Sequence, residues 1–227
     1  MEEKIFLNFL RKIVALLAIF TILIIPRTLL AETSDQQALD AIQKQYEKIL
    51  TFEANFIQES YIRMMDQTQS VEGQVKIKKP GKMRWVYGAP DEQILISDKN
   101  TLWLYIPEEE QATKVPVESI YSSNTPALFL AGQGKLTQSF NIESVNQEKK
   151  KIIVTLIPKT AQQSLARLVL FADKKNYQIT GSTVYDKLGN RTTIRFNQIR
   201  VNKKILEEQF QLNTPPNVEI LDYTQTP

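Results

Sequence analysis

The residues with the most pronounced chemical character lie between Lys78 and Pro107, in KKPGKMRWVYGAPDEQILISDKNTLWLYIP. They offer a large apolar, aromatic surface and little that could make or break a bond. Alternation at period two puts Met83, Trp85 and Tyr87 on one face of a strand, with Lys82, Arg84 and Val86 on the other. Gly88-Ala89-Pro90 ends that strand. Ile94-Leu95-Ile96 and Leu102 to Ile106 then form a hairpin around Asp98-Lys99-Asn100. A tight turn on Lys99-Asn100 sets Ile96 opposite Trp103 and Ile94 opposite Tyr105. Both tryptophans of the chain thus fall in one short meander and are expected to share a broad aromatic face. On residue types alone, Met83, Trp85, Tyr87, Ile94, Ile96, Trp103 and Tyr105 read either as ordinary core or as a pocket lining, core being the simpler reading.

Covalent catalysis has little to work with. The chain holds no cysteine and no histidine. A Ser-His dyad, a thiolate nucleophile and a zinc site of imidazole or thiolate are therefore excluded. Glu108-Glu109-Glu110 reads as a solvated turn. Asp98 and Asp186 occupy turn positions that suit Asp for conformational reasons. Asp186-Lys187-Leu188-Gly189-Asn190 lacks the acidic ladder of a calcium loop. No GxxxxGK[ST] pattern offers a nucleotide site. No catalytic residue, metal or cofactor is expected. A carboxylate-dependent secreted hydrolase stands as a separate reading, and it would need two clustered acids in a polar cleft.

The first residues look like an export signal. Lys4, Arg11 and Lys12 supply a positive start, and Ile13 to Ile25 is an uncharged run ended by Pro26. That run is shorter than the ~20 apolar residues a spanning helix needs, as signal sequences are. Ala31 offers a small residue at a cleavage point. The expected division is a cleaved signal over 1–31 and a single domain over 32–227. With Arg27 included, the leader holds four basic residues and two acidic ones, so it accounts for most of the net +3. Nothing in the remaining balance asks for nucleic acid.

The elements that must position the aromatic meander follow from periodicity. Ser34 and Gln37 read as a capping box, and Ala38, Leu39, Ile42, Tyr46, Ile49 and Leu50 recur at helical spacing, predicting a helix over 36–50. Phe52, Ala54 and Phe56 switch to period two. Val71 to Ile77 makes the next strand. Phe140 to Ile142, Ile152 to Leu156, Leu165 to Phe171, Tyr177 to Tyr185 and Thr192 to Ile199 continue the series, separated by polar turns. Many short strands at regular spacing argue an antiparallel meander, sandwich or barrel. Thr125 to Ala131 is the one obvious helix within that series, with Pro126 in its first turn and Gly132 after its end. Helices laid over the apolar face of a curved sheet can enclose a cavity.

The ordered set of Lys79-Pro80-Gly81-Lys82-Met83-Arg84-Trp85, Pro90, Ser97-Asp98, Leu102 to Pro107, Gln111-Ala112-Thr113, Asn124-Thr125-Pro126, Asp186 to Asn190, Phe210, Pro215 and Pro216 resembles the LolA family of periplasmic lipoprotein carriers. The resemblance implies an incomplete antiparallel β-barrel, mainly β, closed by short lid helices over a hydrophobic cavity. It implies a cavity for acyl chains lined by Phe56, Met83, Trp85, Tyr87, Ile94, Ile96, Trp103, Tyr105 and Phe140. Pro126, Leu128, Phe129, Leu130 and Ala131 would form the lid. Lys79 stands where the family typically has an arginine that holds the lid shut. Met83 aligns with a position that touches the inner-membrane partner in some members. The implied partners are acylated lipoproteins, an inner-membrane ABC-type releasing complex and an outer-membrane lipoprotein receptor, with the carrier itself a periplasmic monomer. The alternative is a periplasmic module on the same fold that senses lipid or misfolded protein.

Overall fold

The computed structural model describes residues 27–117, 135–161 and 165–224. The lid residues Pro126, Leu128, Phe129, Leu130 and Ala131 lie outside them. The chain forms two compact units, Met1–Gln37 and Ala38–Pro227. Among the described residues, the second unit is built on one sheet of twelve strands. In chain order they are β1 (Thr51–Ile62), β2 (Gln67–Lys78), β3 (Lys82–Tyr87), β4 (Gln93–Asp98), β5 (Thr101–Ile106), β6 (Gln111–Pro116), β7 (Phe140–Gln147), β8 (Lys151–Pro158), β9 (Arg167–Asp173), β10 (Ile179–Tyr185), β11 (Arg191–Val201) and β12 (Glu219–Asp222). The spatial order is β12-β6-β5-β4-β3-β2-β1-β11-β10-β9-β8-β7. The sheet does not close, so β12 and β7 are its two edges. Each of these pairings is antiparallel except the first, where β12 lies parallel to β6.

Hairpins follow the turn chemistry of the sequence. Asp98 Oδ1 accepts from the Asn100 and Thr101 amides, and Asp173 Oδ1 does the same for Lys175 and Asn176. These are Asx turns, in which a short acceptor replaces a backbone one. The β4–β5 register has Ile96 opposite Trp103 and Ile94 opposite Tyr105, as the turn position requires.

Helix α1 spans Arg27–Lys48. Ser34 is therefore interior to a helix and does not cap its start, which corrects the capping-box expectation. Favourable helical residues on both sides of Ser34 let the helix run through it. Leu39, Ile42 and Tyr46 recur along one stripe of α1 and pack with Leu136, Ile152, Val154, Leu156, Leu168 and Leu170. Gln43 is buried on the same helix, and its Oε1 accepts from the Leu136 amide at 2.9 Å while its Nε2 donates to Glu47. Leu136 opens α2 (Leu136–Ser139), a single turn leading into β7.

One face of the sheet is apolar from β5 to β7. On the β11-to-β5 half it carries Phe52, Ala54, Phe56, Val75, Ile77, Met83, Trp85, Leu102, Ile194 and Phe196. On the β10-to-β7 half the same face continues under α1. This is the inner face.

Candidate functional site

The site is built on alternate residues of adjacent strands. Trp85 of β3 is flanked by Val75 of β2 and Leu95 of β4. Its ring meets Phe56 edge-on at 5.0 Å between centroids, and Phe56 meets Tyr87 edge-on at 5.1 Å. Phe196 lies 6.3 Å from Trp85 and 5.2 Å from Phe52. Edge-on pairs of this kind add ~0.5–1.5 kcal/mol each beyond area burial. Gly73, paired with both Phe56 and Tyr87, leaves room for the Phe56 ring. A β-carbon there would lie 2.5 Å from that ring and 2.2 Å from the Val86 carbonyl oxygen.

Two polar groups lie within this wall. Burial pushes the Tyr87 phenol up to about 12, so it stays neutral. The Trp85 indole is fully buried, and its Nε1–H has no acceptor among the described residues. A buried donor left this way costs ~1–3 kcal/mol.

The register corrects one expectation. Trp85 and Trp103 do not share a face. Trp85 pairs with Leu95, while Ile94, Ile96, Trp103 and Tyr105 alternate to the other side with Arg84, Val86, Lys114 and Ala112. That outer face is occupied by the C-terminal segment. Its 3₁₀ turn (Glu207–Phe210) brings a buried Phe210 against β3 and β4, and Phe210 and Leu212 line a pocket with Trp103. Lys78 and Lys82 both donate to the Glu207 carboxylate, and Lys76 donates to Gln209 at 2.7 Å. The paired ammonium groups draw the Glu207 carboxyl down to about 2. Ile94, Ile96, Trp103 and Tyr105 are thus outer-face residues in this structure.

Of the other candidates, Phe56, Met83, Trp85 and Tyr87 come together on the inner face. Phe140 lies on the same face but at the β7 edge, in the cluster beneath α1. Met83 is 1 % exposed, so this form offers a partner no Met83 surface. Sequence reasoning did not assign Phe52, Ile77, Ile194 or Phe196 to the site. Their signal was present in the alternation of Phe52-Ala54-Phe56 and of Ile194 with Phe196.

Lys79 joins the sheet to the helix. Its Nζ donates to the Tyr46 carbonyl at 2.5 Å and stands 3.4 Å above the Tyr46 ring. Its backbone amide donates to the Leu50 carbonyl at 2.8 Å. The same carbonyl accepts from the Ile49 amide at 3.3 Å, and a cation at the last turn of a helix is favoured by the negative end of its dipole. Burial is the larger influence on the ammonium and lowers it to about 8, against a smaller upward pull from Glu47. Beside this contact is a narrow apolar cavity of about 20 Å³ lined by Tyr46, Ile49, Leu50, Phe52, Ile77, Lys79 and Ile179. That is room for about one water, against ~300–1,000 Å³ for a ligand pocket. Among the described residues no group of acidic side chains is placed to hold a metal ion.

An open, almost wholly antiparallel sheet with an aromatic inner face and a helix packed on part of it defines the class of fold. Residues 47–213 match the family model of the outer membrane lipoprotein carrier protein LolA. The outer-membrane lipoprotein carrier protein of Hahella chejuensis is 31% identical over 185 residues, covering 81% of this chain and 87% of that protein. The carrier of Pseudomonas paraeruginosa is 31% identical over 195 residues, covering 86% and 92%. A conserved protein from Thermus thermophilus shares the fold with a TM-score of 0.54 at 14% identity, over 83% of this chain and 99% of that one. The chain belongs to the LolA family.

Proposed function

We propose that this protein is a periplasmic carrier that shields the acyl chains of lipoproteins. The observation that carries the reading is the continuous apolar inner face, built by a chain of this family. The physical need is large. Each acyl CH₂ moved into water costs ~0.8 kcal/mol, so a multi-chain anchor left unassisted costs on the order of tens of kcal/mol. A carrier offsets that cost with apolar wall, and it must still let go.

Reversibility comes from a closed form that competes with cargo. Here the Lys79–Tyr46 contact latches α1 to the sheet, and the cavity beside it is too small for an acyl chain. Cargo then binds a form in which this packing has parted. In this reading the leader over 1–31 directs export and is removed, and Pro126 to Ala131 serves as a lid. An inner-membrane ABC-type complex loads the carrier, and an outer-membrane receptor unloads it. Energy input belongs to the loading partner.

The test is release of a radiolabelled lipoprotein from inner-membrane spheroplasts. Added carrier should bring lipoprotein into the soluble fraction as a one-to-one complex that outer membranes then accept. Lipoprotein that stays with the spheroplasts at saturating carrier would overturn the reading.

A further inference from the structure

We propose that the Trp85 indole N–H is a ligand-binding donor whose acceptor is a neutral acyl carbonyl, the ester or amide at the head of a lipid chain. The inference rests on the carrier reading and deepens it by naming a polar subsite within the apolar wall. Its first support is the orphaned donor itself. Trp85 is 0 % exposed, and its Nε1 has no acceptor among the described residues. Buried polar groups are nearly always paired, so each exception calls for a cause.

The surroundings are the second support. Phe56, Phe196, Val75 and Leu95 present carbon to the indole, and the Tyr87 ring stacks on it with centroids 6.4 Å apart. An apolar wall gives a bridging water none of the further partners that hold one in place. A phenylalanine would fill a purely apolar position without the penalty of an unpaired N–H. Retaining the donor makes sense if its acceptor arrives with the ligand.

The chemistry selects the acceptor. An acyl chain in water is already repelled by its solvent, and the wall recognises it without direction. A carbonyl on the indole N–H adds direction and places the head of the chain at β3. A free carboxylate would have to leave water for a wall of carbon whose donors, the Trp85 indole and the Tyr87 phenol, are neutral, which is unfavourable. The site thus favours esterified or amidated chains over free fatty acids. Because the donor has no acceptor among the described residues of the closed form and gains one in the loaded form, its hydrogen bond counts toward loading.

The experiment compares two ligands on the full mature chain. One is a short-chain diacylglyceryl cysteine peptide with ester linkages, and the other its dialkyl ether analogue, which keeps the chains and removes the carbonyls. Wild type should bind the ester about five- to tenfold more tightly, a difference within the range of one hydrogen bond. Trp85→Phe should bind both alike. In a ¹⁵N-labelled sample, the Trp85 indole resonance, assigned with Trp103→Phe, should move downfield with the ester and not with the ether. Equal wild-type affinities, or an ester preference that survives in Trp85→Phe, would overturn the proposal while leaving the carrier reading intact. Binding of neither ligand would overturn both. If Trp85→Phe does not fold, the two wild-type affinities and the indole shift still decide.

Discussion

Trp85 and Trp103 are two residues of one type in one meander, and the structure separates their roles. Trp85 lies in the aromatic wall, and Trp103 lies on the outer face, with the Lys114 Nζ 5.5 Å from its ring centre. Intrinsic fluorescence should therefore change when an acylated peptide binds, and Trp103→Phe should retain that change while Trp85→Phe abolishes it. The reverse pattern would put the ligand on the outer face. Gly73 has an equally specific task. A β-carbon there meets a backbone oxygen, which cannot swing aside as a side-chain tip can. Gly73→Ala should cost about 1–3 kcal/mol of stability, in the range of overpacked cores. Urea unfolding with an unchanged m-value would measure it, and a wild-type midpoint would show that β2 and β3 can spread. At this scale the sequence was legible where spacing is short. The two-residue turn at Lys99-Asn100 determined Ile96 opposite Trp103. The five residues from Gly88 to Glu92 did not determine which face of β4 follows Trp85, because a longer connection admits either parity.

Strands and helix were legible through periodicity, and their ends less so. β6, which contains Lys114 and Pro116, and β12, which joins it in parallel, carry weak strand signals and depend on pairing for their order. The Lys79–Tyr46 contact joins two elements, and Lys79 titrates. The folded value of Lys79, about 8, lies below its ordinary 10.5. Between these values the unfolded chain binds more protons, so stability rises with pH across that window. The gap in unfolding free energy between wild type and Lys79→Leu should shift in favour of wild type from about pH 8 to 10.5. A flat gap would mean that the ammonium is not buried against Tyr46. The C-terminal segment gives a slope of the same sign in an acid window, as a gain that acid removes where Lys79 is a cost that base relieves. Glu207 is held at about 2, below its ordinary 4.5, so its contribution is present above 4.5 and is lost as pH falls through 2. Glu207→Gln should raise amide exchange in Ile205–Gln211 and leave β8 and β9 unchanged. Protection equal to wild type would assign the docking to Phe210 alone.

Over the whole unit, both apolar clusters lie on one sheet face, and the sequence could not reveal that they are neighbours. The β1–β11 pairing brings together residues far apart in the chain, such as Phe56 and Phe196 of the first cluster, and β10, paired with β11, carries the face on to the second. The consequence is a trade between stability and affinity. The cover that α1 provides stabilises the empty protein, and with only a small cavity at its end the proposed carrier function requires cargo to compete with that cover. Weakening the seat of α1 should then lower stability and raise apparent affinity together, since a binding-competent form that is more populated costs the ligand less. Ile42 is the position to alter, being fully buried between α1 and the sheet. Ile42→Ala should destabilise the fold by about 2–4 kcal/mol, as large-to-small core changes do. The same variant should bind a short-chain acylated peptide several-fold more tightly than wild type. Urea unfolding and fluorescence titration on one sample give both quantities. A loss of stability with unchanged or weaker binding would show that acyl chains enter without displacing α1.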